Sequence, residues 1–211
     1  MTLTIRETSK KEKTAFERRR QIANAAVHLF LKKGVANTSM RDLAAEVGMT
    51  TGGVYHFFRS KKDIIHLVAE DAVSYHFTVK DFRQTLGDMK PSQIFRLCAQ
   101  YWLTIDKVSQ DHAIFIDRET LLIEPDVRVQ FLNAVRALIL YFEELLTDGI
   151  QAGEFRVENI TLTAFNVVML RTQYAMRRWF LKNIMSPEDY AKQQTDAIMK
   201  QILVSKKGRD S

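Results

Sequence analysis

The sequence predicts an all-α protein, with a three-helix helix-turn-helix domain at the N-terminus and a helical bundle after it. Apolar residues recur at helical spacing in one segment after another. Glycine or proline separates these segments, as at Gly34, Gly48 and Pro125. The chain has 211 residues, of which 46% are hydrophobic and 27% charged, as in ordinary globular proteins. That length is enough for one small and one medium domain.

The first predicted helix has an inward apolar stripe formed by Ile22, Ala25, Ala26, Leu29 and Phe30. Gly34 closes it. Residues 1–13 show no such periodicity, which predicts a mobile arm. This arm and the first predicted helix carry a run of cations, which either contact phosphates or keep the chain in solution: Lys10, Lys11, Lys13, Arg18, Arg19 and Arg20.

Residues 38–61 are predicted to form two short helices around a glycine turn. The first covers about 39–47, with Thr38 or Ser39 as N-cap, and the second runs from Thr50 or Thr51 to Phe58. Gly48 lies just past the first helix, where a positive φ is common and glycine adopts it without a steric penalty. This pattern is typical of a helix-turn-helix, whose second helix lies in the major groove of DNA.

The second helix carries two glycines, Gly52 and Gly53, each of which costs about 1 kcal/mol relative to alanine in a helix. A close approach to DNA explains them, and so does tight packing in a plain helical hairpin. If the helix binds DNA, the expected contact residues are Thr38, Arg41, Thr50, Thr51, Gly52, Tyr55, Phe57 and Lys61.

The net charge of +6 is divided unevenly along the chain. Residues 1–61 contain 12 Lys and Arg against 5 Asp and Glu, whereas residues 62–211 contain 19 against 20. The excess positive charge therefore lies with the helix-turn-helix. Binding to a polyanion explains this better than a basic surface that has no partner.

Further helices follow. Ser60 and Asp63 form a capping-box-like start to a helix that reaches Tyr75, and residues 80–90 predict a loop. The remaining helices are predicted from Ser92 through Ile105, over 113–122, from Pro125 to Gly149 or Gly153, over 161–182, and from Ser186-Pro187 onward, where Asp189 completes a second Ser-x-x-Asp box. Residues 206–211 are predicted to be a disordered tail.

The 161–182 helix is apolar around most of its circumference, which indicates burial on all sides. With the last helix it predicts a homodimer formed as a four-helix bundle. The expected interface residues are Phe165, Met169, Met176, Ile198 and Ile202. The alternative is that these two helices complete the core of a single chain.

Several classes of function are disfavoured. No catalytic motif, phosphate loop or dinucleotide fingerprint is found, so we expect no enzyme activity and no cofactor. His66 and Glu70 share a helical face, but an exposed pair is a better interpretation than a metal site. No apolar run is long enough to span a membrane, and there is one cysteine, Cys98, which fits the reducing cytoplasm.

Residues 22–61 resemble the DNA-binding domain of the tetracycline-repressor family. The matching features are the Gly34 turn, Thr38-Ser39, Leu43-Ala44, Gly48, Gly52, Tyr55 with Phe57-Phe58, and Ser60-Lys61. The resemblance implies a homodimeric transcriptional repressor that binds double-stranded operator DNA and releases it when a small molecule binds the C-terminal domain. Gly53 departs from the family, which more often has Thr, Ser or Ala there.

The expected division is a DNA-binding domain at 1–61 and an effector-binding and dimerisation domain at 62–205. The latter loosely resembles the acyl-coenzyme A-responsive branch of the family at Arg118-Glu119, at Gly153-Glu154-Phe155, at Arg178-Trp179-Phe180 and over 186–190. A neutral aromatic or drug-like effector, or a filled core with no effector, remains open. The candidate ligand residues are Phe95, Tyr101, Trp102, Phe115, Arg118, Leu122, Val168, Arg171, Tyr174 and Arg178. The arginines of the 161–182 helix, Arg171, Arg177 and Arg178, either meet a ligand anion, pair internally, for instance with Glu119, or reach solvent.

Overall fold

The computed structural model describes residues 10–75 and 82–204, and its regular elements there are helices. The all-α prediction is confirmed. The helices are α1 (Lys10–Lys33), α2 (Met40–Glu46), α3 (Thr51–Phe57), α4 (Lys61–Tyr75), α5 (Pro91–Leu103), α6 (Lys107–Arg118), α7 (Pro125–Gln151), α8 (Ile160–Met176), α9 (Arg178–Leu181) and α10 (Pro187–Ile202), and a 3-10 turn at Thr120–Leu122 precedes α7.

Both Ser-x-x-Asp pairs cap the helices that they begin. Ser60 Oγ accepts from Asp63 N at 3.3 Å while Asp63 Oδ2 accepts from Ser60 N at 3.2 Å, at the start of α4. Ser186 Oγ accepts from Asp189 N at 3.0 Å and bonds the Asp189 carboxylate, at the start of α10. Gly48 has the predicted positive φ, of 65°, and Gly34, which closes the first helix as predicted, has a φ of 84°. These local signals placed the helix ends correctly because each acts within one turn of chain.

Four predicted boundaries are wrong. α1 begins at Lys10, inside the segment expected to be a mobile arm, and residues 82–84 are helical within the expected loop. α6 begins at Lys107 instead of 113, because Asp106 caps it by accepting from Ser109 N at 2.8 Å. The 161–182 helix ends at Met176, with a break at Arg177 before α9. Residues 1–9 and the predicted tail at 206–211 lie outside the described residues.

Among the described residues, the core has two large clusters and one small one. The first joins α1 to α4 with Phe115 and Ile116 of α6 and with Ile123 and Val127. Phe30 and Phe115 stack across this junction with ring centroids 5.5 Å apart. The second cluster lies among α5, α7, α8 and α10. α6 and the start of α7 therefore share a core with the helix-turn-helix.

A tight contact closes the far end of the second cluster. The chain turns at Gly153, with φ 69°, and brings Phe155 back over Gly149 of α7. A Cβ at Gly149 would lie 2.0 Å from Phe155 Cδ2. Phe155 also makes an edge-on contact with Phe95, with centroids 5.6 Å apart. The hydrogen bond from Arg156 N to Ile202 O, at 2.7 Å, ties this turn to the end of α10.

Within the described ranges, none of the helices is both long enough and apolar enough to cross a membrane.

Candidate functional site

The helix-turn-helix consists of α2, the Gly48 turn and α3. Ser39 caps α2 by accepting from Asp42 N at 3.1 Å, and Asp42 accepts in return from Ser39 N at 2.8 Å. Hydrogen bonds from Ser39 lower the pKa of Asp42, so the carboxylate stays charged at neutral pH. The negative charge at the N-terminus of α2 suits the helix dipole.

α3 is held in place from its inner side. Val54 and Phe58 are buried in the first core cluster. The Arg19 guanidinium of α1 lies 5.2 Å from the centroid of the Phe58 ring, which adds a cation–π contact. At the other end, Thr50 Oγ1 accepts from Gly53 N at 3.0 Å and caps the helix. Because both ends are anchored, the outer face of α3 is a rigid surface.

On the outer face of α3, the positions that would enter a DNA groove are not covered by the rest of the chain. Tyr55 is 50% exposed, His56 is exposed, and a Cβ built at Gly52 meets no atom within 4 Å. Gly52 therefore has no packing role in the described structure. A bare backbone here lets a DNA strand approach closely.

The glycine at position 53 is explained by packing within the motif, not by exposure. A Cβ there would lie 3.2 Å from Thr50 Oγ1 and 3.2 Å from Met49 Cε. A side chain at this position would press on the atom that caps the helix. Local packing therefore explains why glycine replaces the Thr, Ser or Ala more common in the family. Gly53 is half-buried and does not face outward.

The structure separates the predicted DNA contacts. Arg41, Thr50, Gly52 and Tyr55 are exposed, and Thr51 is half-buried on the same helix. The prediction that Thr38 contacts DNA is corrected, because the residue is buried and its hydroxyl donates to Gly34 O at 2.9 Å. Phe57 is half-buried and packs against the first core cluster. Lys61 donates to Val35 O at 2.6 Å, which fixes its ammonium beside the Gly34 turn but leaves two N–H donors.

The cations of α1 are also partly engaged. Arg20 Nε lies 3.2 Å from Asp71 Oδ2 of α4, and Arg18 donates to Gln21 at 3.0 Å. Arg20 therefore serves a helix-to-helix contact before any contact with phosphate. Arg18, Arg19 and Arg20 are all exposed, and phosphate contacts by this run stay a prediction.

In the C-terminal half the candidate ligand residues are not brought together. Phe95, Trp102 and Val168 lie in the second core cluster, and Trp102 Nε1 donates to Val168 O at 3.2 Å. Phe115 belongs to the first cluster and Tyr174 to the small third one, with Tyr190. Tyr101, Arg118 and Leu122 are exposed. The expectation that all these side chains line one cavity is wrong, because α6 packs toward α1 and not toward α5.

Two of the predicted ligand arginines have internal partners. Arg171 is buried, donates to Trp102 O at 2.6 Å and Thr104 O at 3.2 Å, and lies over the Trp102 ring at 4.7 Å. It therefore satisfies carbonyls at the end of α5. Arg178 also has an internal carboxylate partner, which is Asp111 and not the Glu119 given as an example. Burial alone would raise the pKa of Asp111, but hydrogen bonds from Lys107 and Arg178 outweigh it and lower that pKa.

A pocket of about 290 Å³ does open on the second core cluster, at Ile94 and Leu145. Its rim carries Arg83 and Asp148. In the same core cluster, Cys98 Sγ and the Tyr141 hydroxyl lie 3.5 Å apart. Burial raises the pKa of both groups, and the nearby Arg83 charge acts in the opposite direction. Cys98, Tyr141 and Arg83 were not predicted as site residues.

Two family profiles match this sequence. The one described as "Bacterial regulatory proteins, tetR family" matches residues 22–68. The one described as "Tetracyclin repressor-like, C-terminal domain" matches residues 88–202, more than half of the chain. The chain belongs to the tetR family.

Individual tetR-family proteins agree with this assignment. The transcriptional regulator HbdR of Aromatoleum sp. (strain CIB) is 25% identical over 193 residues, which cover 90% of this chain and 82% of HbdR. Among solved structures, the regulator PfmR from Thermus thermophilus superposes with a TM-score of 0.73 at 21% identity, covering 86% of this chain and 98% of that one. AibR in complex with isovaleryl coenzyme A and operator DNA superposes with a TM-score of 0.69 at 21% identity, covering 87% of this chain and 99% of that one.

In this tetR-family chain the predicted dimer residues divide between two environments. Ile198 and Ile202 are buried in the second core cluster, so the expectation that they are exposed on α10 is wrong. The apolar face of α10 packs on α5 and the rest of the chain's own core. On α8, by contrast, Phe165 is 44% exposed and Met169 and Met176 are half-buried.

His66 and Glu70 lie one helical turn apart on α4, as the sequence predicts. His66 Nδ1 lies 3.9 Å from Glu70 Oε1, as an exposed pair on α4. Across residues 10–75 and 82–204 no group of three or more His, Cys, Asp or Glu side chains is arranged to hold a metal ion.

Proposed function

We propose that this protein is a cytoplasmic transcriptional repressor that binds a palindromic operator as a homodimer and leaves it when a small effector binds. The observation that carries the DNA-binding part is the outer face of α3. It is rigid, carries an exposed tyrosine beside a bare glycine backbone, and lies in the half of the chain that holds the excess positive charge. The named relatives are transcriptional regulators, which favours regulation over catalysis.

On this proposal, affinity comes from cations on phosphates and sequence preference from α3 in the major groove. Arg41 and Arg59 are exposed near the two ends of the motif and suit phosphate contacts. Tyr55 and Thr51 face the groove, where they meet base edges or the adjoining backbone. The two half-sites of the operator should lie about 34–36 Å apart, or a multiple of that distance.

The first prediction is that Tyr55→Ala weakens operator binding roughly tenfold while leaving the protein folded, because half of the side chain is already exposed. The measurement is fluorescence anisotropy on a duplex selected from a random-sequence library with the wild-type protein. Tyr101→Ala is the matched control, since Tyr101 is a similarly exposed tyrosine on α5. Equal affinities for wild type and Tyr55→Ala would exclude this docking face.

α8 supports the dimer. Its inner side buries Ala164, Val167 and Val168, and its outer side presents Leu162, Phe165 and Met169. A helix that is apolar on both sides, with only one side covered by its own chain, needs a second covering surface. A second copy of α8 packed about a two-fold axis supplies it. α10 then contributes its outer polar side chains, such as Gln193 and Gln201, at the rim.

For the effector, we propose a molecule with an apolar body that enters the second core cluster through the pocket at Ile94 and Leu145. An acyl-coenzyme A thioester is the first candidate, supported by the isovaleryl coenzyme A in the AibR complex and by the Arg83 cation at the pocket rim. A neutral aromatic or drug-like compound is the second candidate. The internal pairing of Arg171 and Arg178 favours it, because those two cations are already compensated.

Titration of the operator complex with acyl-coenzyme A species of increasing chain length tests the effector. We expect release to strengthen with each added methylene, by about 0.8 kcal/mol per buried CH2, until the pocket is filled. Arg83→Gln should weaken release because the thioester's phosphates lose a cation. Arg156→Gln, at an exposed arginine outside the pocket, is the control. Absence of release at every length would leave the neutral compound as the better candidate.

A further inference from the structure

His112 lies where the C-terminal half meets the helix-turn-helix half. It is on α6, which packs on α1 and α4 through Phe115 and Ile116. The His112 side chain is only 9% exposed. Its Nε2 atom is fully buried and has no hydrogen-bond partner within the part of the chain that the structure describes. A buried polar atom without a partner is costly, so its presence at a junction calls for an explanation.

Charged groups from three helices surround this imidazole. The charges of Asp71 on α4 and Arg20 on α1 act on it, and these two side chains pair with each other at 3.2 Å, which joins α1 to α4. On its own helix, Asp111 and the N-cap residue Asp106 are near. Asp111 is itself paired with Lys107 and Arg178, and the Tyr174 hydroxyl of α8 donates to Met185 O at 3.1 Å.

The balance of these influences keeps His112 neutral. Burial is the largest of them and lowers the pKa of His112, and Arg20 acts in the same direction. Asp71, Asp111 and Asp106 act in the opposite direction but do not outweigh the burial. If α6 separates from α1 and α4, water reaches the ring and its pKa returns to about 6.5.

We propose that His112 is a proton-sensitive contact between the two halves of the chain: neutral, it keeps α6 packed on α1 and α4, and protonated, it favours their separation. The Arg20–Asp71 pair joins α1 to α4, the two helices on which α6 packs. A charged ring would lose its hydration in this buried contact, so protonation favours the separation of α6 from α1 and α4. α6 is thereby coupled to α1 and α4, which share one core with the helix-turn-helix.

The sign of the effect follows from the direction of the pKa shift. The open state binds a proton more readily than the closed state, so falling pH favours opening. The stabilisation of the closed junction is complete above about pH 6.5 and is lost as the pH falls below it. Between pH 7.5 and 5.5 the opening equilibrium should rise up to about tenfold, since an open-state histidine gains its proton over that interval.

Hydrogen exchange of the purified full-length chain at pH 7.5 and 5.5 tests the proposal. After correction for the intrinsic pH dependence of exchange, we expect protection of residues 107–118 to fall up to about tenfold at the lower pH in the wild type. In His112→Gln, which cannot take up the proton, this fall should disappear. The matched control is His66→Gln, which removes an exposed histidine of α4 and should behave as the wild type does.

Equal falls in the wild type and in His112→Gln would overturn the proposal, and so would constant protection in both. If His112→Gln does not fold, residue-specific NMR titration of the wild-type imidazole decides instead. A midpoint below about 6.5 supports the proposal and a midpoint at or above that value overturns it. Neither measurement requires DNA or an effector, so the outcome is independent of the proposed function.

Discussion

Replacing Gly149 by alanine is expected to destabilise the protein by about 2–4 kcal/mol, although alanine is the better helix former by about 1 kcal/mol. The new Cβ would lie 2.0 Å from Cδ2 and 2.3 Å from Cε2 of Phe155. Because a rigid aromatic ring cannot yield by that distance in place, Phe155 must leave its site. Its contacts with Phe95 are then lost, and with them the packing at the end of the second core cluster.

Urea unfolding followed by circular dichroism measures this change. The control is the same substitution in a Phe155→Ala background, where the clash is absent. There, Gly149→Ala should be neutral or should stabilise by up to about 1 kcal/mol. A loss of similar size in both backgrounds would show that the ring contact is not the cause.

Ile198→Glu is expected to destabilise the fold strongly, whereas Phe165→Glu is expected to yield folded monomers. Ile198 is 9% exposed and packs in the second core cluster, so an unpaired carboxylate there should cost at least about 3 kcal/mol. Phe165 is 44% exposed on α8, so its replacement costs little within one chain. Two such carboxylates would meet across the proposed two-fold axis.

Analytical ultracentrifugation and thermal unfolding of both variants separate the two effects. The expected results are a dimer for the wild type, a stable monomer for Phe165→Glu, and a lowered midpoint of unfolding for Ile198→Glu. Phe165→Asn serves as the control for the loss of apolar area without charge. A Phe165→Glu protein that remains dimeric would place the interface on another face.

Sequence patterns located those parts of the fold that depend on neighbouring residues. Gly34, Gly48, Ser60 with Asp63 and Ser186 with Asp189 act within one turn of helix, and the structure places each as predicted. Asp106 carries a comparable signal, because its carboxylate accepts from Ser109 N and bonds the Ser109 hydroxyl. The start of α6 was therefore readable from the sequence as an N-cap, although the apolar pattern alone placed it at 113.

Other features depend on contacts between distant parts of the chain. The break at Arg177 has no glycine or proline to mark it, and the next residue, Arg178, reaches Asp111 on α6. The periodicity of α10 correctly predicted one apolar face. It did not show whether that face meets the chain's own core or another molecule, since Ile198 has the same spacing in both cases.

The candidate site was predictable to the same extent. The exposure of Tyr55 and Gly52 was predictable because the cap and the turn fix where α3 begins, while their contact with DNA stays a prediction. Thr38 was misassigned because its hydroxyl bonds Gly34 O, a local contact that satisfies a turn and competes with any external role. The pocket beside Arg83 was missed because it forms only when α5 and α7 lie side by side.

The stacking of Phe30 on Phe115 limits how parts of this fold can be exchanged between related proteins. Because Phe115, Ile116, Ile123 and Val127 complete the core around α1 to α4, the segment that meets DNA is not a detachable module. A chimera cut after α4 would leave the rings and aliphatic side chains of that core facing solvent. Exchange of DNA-reading parts between relatives therefore preserves folding only when α6 and the first turns of α7 travel with them, or when the recipient offers matching side chains at those positions.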